Sequence, residues 1–267
     1  MDIKMLNKDK KTGKISFLIK NTSAAFANAL RRAIISEVPT MAIEDVEFKK
    51  NNSVLYDEIV AHRLGLMPLK TDLKTYDLIE NCKCNGAGCA KCSLKLSLKS
   101  TARSDQIVKA SDMKSKDPKV VPVFDETPIV KLLKGQAIEF EATAVLGRGK
   151  DHMKWSPGLA YYKYMPVIEV TKTPKDPEAL AKSCPVNVFD VKKDKISVND
   201  DNLYKCHLCG ACTDLEPGVI KLNESESNVI FYVEPFGQLS AKQMLSEAAN
   251  IISAKMDALA EALEKKK

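Results

Sequence analysis

The stretch AAFANALRRAIISEVPTMAIEDVEF, residues 24–48, decides how the chain is read. Its first half has helical periodicity: Phe26, Leu30, Ile34 and Val38 recur every four residues, and Ala29 and Ala33 fill the same stripe. Thr22 or Ser23 can cap the start, because a hydroxyl there accepts from the exposed N–H groups of the first turn. Pro39 has no N–H to donate and stops the helix near Val38. Beyond it, Ala42–Phe48 reads as a strand. A second helix face carries Asn28, Arg31, Arg32 and Ile35. Two adjacent arginines on an apolar helix call for carboxylate or carbonyl partners, or for solvent. Periodicity alone describes a core helix with two solvated arginines.

The wording of the segment says more than its period. NALRRAIISEVP, residues 28–39, followed by AIEDVEF, residues 42–48, resembles the opening of the assembly subunit of multisubunit RNA polymerases. That family comprises the bacterial alpha subunit, the third-largest subunit of eukaryotic polymerase II and their archaeal D-type counterpart. YDEIVAHRLGLMPL, Tyr56–Leu69, resembles the second signature of the archaeal and eukaryotic branch, and HMKWSP, His152–Pro157, is a third match. Three matches in family order, spread over nearly the whole chain, are far more specific than any one of them.

The resemblance implies an α+β chain of three parts. Residues 1–48 and 227–267 would form a discontinuous dimerisation domain, 49–171 a β-rich insert, and 172–226 a ferredoxin-like domain. It implies a non-catalytic scaffold that pairs with a small subunit, L in archaea, and then docks the large catalytic subunits and small assembly subunits. Asn28, Arg31 and Arg32 would be the docking face. Phe26, Leu30, Ile34, Leu245, Ile252, Met256 and Leu259 would line the dimer interface, with little direct DNA contact.

Composition fits such a protein. The 267 residues suffice for two or three domains with real cores, and 45% apolar with 28% charged residues is ordinary for a globular chain. The formal charge of +6 is spread along the chain and interleaved with acids, which describes a solvated surface and a frayed Lys265–Lys267 tail better than a DNA-binding patch. No run approaches the ~20 apolar residues of a membrane span, and no N-terminal apolar run suggests a signal peptide. A cytoplasmic setting is expected, and there eight cysteines argue for metal rather than disulfides.

Strand-like alternation occurs at Lys14–Lys20, at Leu94, Leu96 and Leu98, from Ile138 to Ala144, and at Val229, Phe231 and Val233. Ser100–Pro128 is polar and lysine-rich and reads as loop. Ser240 with Gln243 fits a capping box before a helix of ~25 residues, long for a globular domain. Its stripe of Leu245, Ala248, Ile252, Met256, Leu259 and Leu263 packs either on its own domain or on a partner.

Cys82, Cys84, Cys89 and Cys92 place four thiols within eleven residues, and Gly86 and Gly88 let the chain double back. Such a set suits one tetrahedral Zn²⁺, closed and structural. Two local disulfides or four reduced thiols are the alternatives. The second quartet is split. Cys206, Cys209 and Cys212 have the C-x2-C-x2-C spacing of a bacterial-type ferredoxin cluster, and Cys184-Pro185 supplies the fourth ligand as a Cys-Pro. The positions of a second cluster fall on Pro174, Pro177, Leu180 and Glu216, none of them a ligand. The pattern implies one [4Fe–4S] cluster, structural or regulatory, with a zinc site or unmetallated thiols as alternatives.

A ferredoxin-type electron-transfer subunit of an oxidoreductase is the competing function. The iron–sulfur cysteines alone allow it. Against it stand the missing second cluster and some 170 preceding residues without G-x-G-x-x-G after a strand, a P-loop or a catalytic triad. His62, His152 and His207 lie apart in sequence, and none suggests a catalytic base.

Overall fold

The computed structural model describes residues 1–264, so the tail expected at Lys265–Lys267 lies outside the described residues. Strands β1 (Asp2–Lys8) and β2 (Ile15–Lys20) pair antiparallel and are followed by α1 (Ala24–Ser36) and β3 (Pro39–Asn51). Helix α2 (Asp57–Gly65) precedes β4 (Ser93–Thr101), β5 (Gln106–Lys109), β6 (Lys114–Ser115) and β7 (Pro128–Leu132). The long strands β8 (Ala137–Arg148) and β9 (Gly158–Val170) come next. Short elements follow: α3 (Pro177–Lys182), β10 (Phe189–Lys192), β11 (Lys195–Val198), α4 (Asp200–Leu203) and α5 (Ala211–Leu215). The chain closes with β12 (Ile220–Pro235) and α6 (Ala241–Glu264). Among the described residues no helix is long and apolar enough to cross a membrane.

The chain divides into two compact units. One comprises Met1–Lys8, Ile15–Ala29 and Tyr161–Tyr232; the other comprises Asp9–Lys14, Leu30–Ala160 and the chain from Val233 on. The first unit carries most of a four-stranded sheet in the order β1-β2-β12-β9, together with the short elements from α3 to α5. Phe17 of β2 and Phe231 of β12 stack at 5.5 Å. The β10–β11 hairpin turns on Lys193 and Asp194, both at positive φ (48° and 58°), which matches the right-handed twist of paired strands.

The second unit is β-rich. Its main sheet runs β3-β8-β4-β6, and β5 pairs with β7 alongside. Strand β8 is flanked antiparallel by β3 and β4, and Ile138, Phe140, Ala142 and Ala144 are buried, as their alternation predicts. Between them Glu139 and Glu141 face Lys99 and Lys95 across the ladder to β4. Met41, Leu64, Leu69, Leu96, Ile129 and Phe140 are among the largest side chains of this core.

Local signals explain the ends of the two long helices. Ser23 Oγ accepts the Phe26 N–H at 3.2 Å and caps α1. The helix ends at Ser36, where the Glu37 and Val38 N–H groups both reach the Ala33 carbonyl. In α6 the capping box is reciprocal: the Ser240 N–H donates to Gln243 Oε1 at 3.0 Å, and the Gln243 N–H to Ser240 Oγ at 3.3 Å.

Three sequence readings are corrected. The Ser100–Pro128 segment is not wholly loop: it contains β5 and β6, strands of four and two residues too short to show a period, with Val108, Ala110, Met113 and Val120 buried. Strand β2 is not half-buried. It lies between β1 and β12, and every residue from Ile15 to Ile19 is buried, so both faces are covered. The middle region described as short strands and turns also holds helix α2, seated by Val60 and Leu64.

Candidate metal centres

The first quartet lies in the loop between α2 and β4. Asn85, Gly86 and Gly88 all adopt positive φ (51°, 85° and 75°), and this is how the chain doubles back. Two tight turns result. The Asn85 N–H donates to the Cys82 carbonyl at 3.1 Å, and the Cys92 N–H to the Cys89 carbonyl at 3.0 Å. All four Sγ atoms lie within 4.8 Å of one another. Cys82 and Cys89 are 3.5 Å apart, Cys84 and Cys92 3.5 Å, and Cys89 and Cys92 3.9 Å. A tetrahedral ion with metal–sulfur bonds of ~2.3 Å requires sulfurs roughly 3.8 Å apart. All four cysteines are free, so the pairing into local disulfides is not the arrangement found.

The electrostatics point the same way. The Cys89 N–H, then the Cys82 and Cys92 thiols, hold Cys84 down to about 6. Burial, then hydrogen bonding with Cys84, pushes Cys92 up to about 12. Four sulfurs this close cannot all ionise on their own. A divalent cation removes the conflict, because it binds thiolates and stabilises all four together.

The second quartet lies in the other unit. Cys184 follows α3, whose cap is Asp176: its carboxylate accepts the Ala179 N–H at 3.0 Å, and Pro177 sits in the first turn. Leu208 and Gly210, at positive φ (58° and 81°), wind the chain between Cys206 and Cys212. Cys212 itself lies in α5. The four cysteines line one small cavity with the apolar side chains Ile168, Val186, Val188, Phe189 and Leu222. Cys184, Cys206 and Cys212 are buried, whereas Cys209 is exposed. Burial raises the Cys206 and Cys212 thiols. The Val188 N–H donates to Cys184 Sγ at 3.4 Å, the kind of contact that favours a thiolate ligand. The segment leaves and returns to the sheet at one place: the Thr171 N–H donates to the Val219 carbonyl at 2.9 Å and its hydroxyl to the Gly218 carbonyl at 2.8 Å. Four cysteine thiols on apolar walls are the donor set that an iron–sulfur cluster or a structural metal ion binds.

The remaining predicted residues divide by burial. On α1, Leu30 and Ile34 are buried within this chain, while Phe26 is 40% exposed. Asn28 and Arg31 are partly covered and Arg32 is exposed. On α6, Leu245 and Ile252 are partly covered, but Met256 is 59% and Leu259 55% exposed. His62 and His152 belong to the second unit. His152 Nδ1 accepts the Lys154 N–H at 3.0 Å, and its ring meets Trp155 edge-on at 6.3 Å. His207 lines the cysteine cavity.

One pair escaped sequence reasoning. Trp155 Nε1 donates to the Val145 carbonyl at 3.3 Å, Thr40 Oγ1 to the Trp155 carbonyl at 2.7 Å, and a Cβ on Gly147 would lie 2.4 Å from the indole. The HMKWSP signature is therefore a staple across β3 and β8. Its glycine partner could not be found without the fold.

Residues 43–166 match the family described as the RNA polymerase Rpb3/RpoA insert domain. The DNA-directed RNA polymerase subunit Rpo3 of Methanosphaera stadtmanae is 37% identical over 263 residues, covering 96% of each chain. The subunit of the same name from Pyrococcus horikoshii is 38% identical, over 96% of this chain and 95% of the relative. That of Archaeoglobus fulgidus is 36% identical over 96% of both. The electron-carrier reading gives way to these matches, since the relatives that span the cysteine segment together with the rest of the chain are polymerase subunits. With over a third of its residues identical across almost the full length of such relatives, the chain belongs to the Rpo3 family of DNA-directed RNA polymerase subunits.

Proposed function

We propose that the chain is a non-catalytic assembly subunit of a cytoplasmic, archaeal-type RNA polymerase, of the D type. It pairs with a small subunit of the L type and then receives the large catalytic subunits. The observation that carries this reading is the near full-length identity with polymerase subunits. The exposed stripe on α6 supports the pairing step. Burying Met256 and Leu259, more than half exposed here, would be worth about 1.5–3 kcal/mol each. Phe26, exposed on α1, offers a further apolar contact, while Leu30 and Ile34 support that helix from inside the chain.

In this reading residues 1–48 with 227–267 make the dimerisation domain, 49–171 the insert, and 172–226 a ferredoxin-like domain. Cys82, Cys84, Cys89 and Cys92 hold a structural Zn²⁺. Cys184, Cys206, Cys209 and Cys212 hold one [4Fe–4S] cluster, which when bound supplies four covalent ties to a segment short of core. Asn28, Arg31 and Arg32 dock a large subunit, with the arginines offering forked donors to carboxylates or carbonyls. Changing Arg31 and Arg32 together to Ala is expected to leave the small heterodimer intact in size-exclusion chromatography and to abolish recruitment of the large subunits. Loss of the heterodimer itself would refute this division of roles.

A further inference from the structure

Lys163 lies on β9 and turns its ammonium toward the iron–sulfur loop. Its Nζ donates to the Cys206 carbonyl at 2.7 Å. It also sits 5.9 Å from the centre of the Tyr232 ring, which stacks on Tyr161 at 4.8 Å. Lys163 is partly covered by its surroundings. The neighbouring Lys205 behaves differently: it is exposed and donates to Asn202 Oδ1 at 2.6 Å. Asp200 and Asp201 line the same cleft as Lys163 but are exposed to water.

A partly desolvated ammonium is costly unless a negative group compensates it. A carbonyl oxygen offers only part of that compensation. Four thiolates outweigh the positive charge of an iron–sulfur core, so a loaded site is anionic, and more so when reduced. We infer that Lys163 is a positioning residue of the cluster site, tying the Cys206 turn to β9 and offsetting the charge of the loaded cluster. This rests on the [4Fe–4S] reading above. Ile168, farther along the same strand, lines the cysteine cavity, so β9 meets the cluster loop at two points, one apolar and one charged.

The test uses the full chain, reconstituted anaerobically with ferrous iron and sulfide. Wild type, Lys163→Met, Lys163→Gln and Lys163→Arg are compared by the rate of iron loss to a chelator and by the midpoint potential of the cluster. Met retains the stem and Gln a polar tip, but both remove the charge. Each is expected to lose iron about tenfold faster, the equivalent of one charge-assisted hydrogen bond, and to shift the potential to more negative values. Arg should stay close to wild type in both readouts. Neutral variants with wild-type loss rate and potential overturn the inference. So does an Arg variant as impaired as the neutral ones, since the lysine's shape and not its charge would then matter. A wild-type chain that takes up no iron and sulfide instead overturns the cluster reading itself, and the control shows this separately.

Discussion

The two cysteine quartets solve the same problem by opposite routes. In the first, all ligands fall within one loop, the backbone turns are made by residues at positive φ, and the four sulfurs already stand within 4.8 Å of one another. The loop is attached to a unit with its own large core, built on Phe140, Leu96 and Leu69. In the second, the ligands come from two places in the sequence, and the surrounding core is a small cluster that includes the cysteines themselves. A local set can therefore be lost at little cost to its surroundings. A split set takes the fold of its segment with it.

The largest expected effect breaks the second quartet. With Cys206, Cys209 and Cys212 all changed to Ser, hydrogen exchange should show amide protection lost throughout residues 172–218, while β4 and β8 keep theirs. Full protection in that segment without iron would mean its apolar residues suffice, and the contrast between the quartets would fail. A smaller effect is expected at the first quartet. Chelation of a metal bound there should expose amides only near residues 78–93 and lower the melting temperature of the insert by about 2–4 °C, the scale of ~1 kcal/mol in a unit of this size. Collapse of β8 on chelation would place the first site in the same class as the second.

The smallest effect concerns the neck of the first loop. Asp72 accepts from the Lys74 N–H at 3.0 Å, the Thr75 hydroxyl at 2.9 Å and Lys119 at 3.1 Å, and these hold its carboxyl down to about 2. Because the folded value lies below the ordinary 3.8, the stabilisation is complete above about pH 4 and disappears as the pH falls through about 2. An NMR titration of the metal-free chain should therefore give Asp72 a midpoint near 2. A midpoint near 4 would show that these bonds do not persist in solution.

What the sequence revealed follows from how far apart the interacting groups are. Cysteine spacings, the Ser240–Gln243 box and the alternation of β8 are local facts, and their geometry appears directly in the chain. The burial of β2 on both faces is different, because it depends on strands up to some two hundred residues away, and the alternation of Ile15, Phe17 and Ile19 was silent about Ser16 and Leu18. The same holds for Gly147, whose missing side chain makes room for Trp155. Strand β12 goes beyond its sequence signal in another way: the alternation of Val229, Phe231 and Val233 marks only part of one continuous element of sixteen residues. The polar run before it carries no period, yet it belongs to a strand that lies between β2 and β9.

The bonds from Thr171 to Gly218 and Val219 give the segment with the second cysteine quartet the character of a cassette. Its two ends meet on neighbouring strands, so a short turn could join β9 to β12 without disturbing the rest of the sheet. Gain or loss of such a segment asks for adjustment at Lys163 and Ile168 of β9, which meet it, and a lineage could acquire, simplify or discard it in a single genetic event. Dependence on iron would then be a portable trait of this fold, separable from the assembly role.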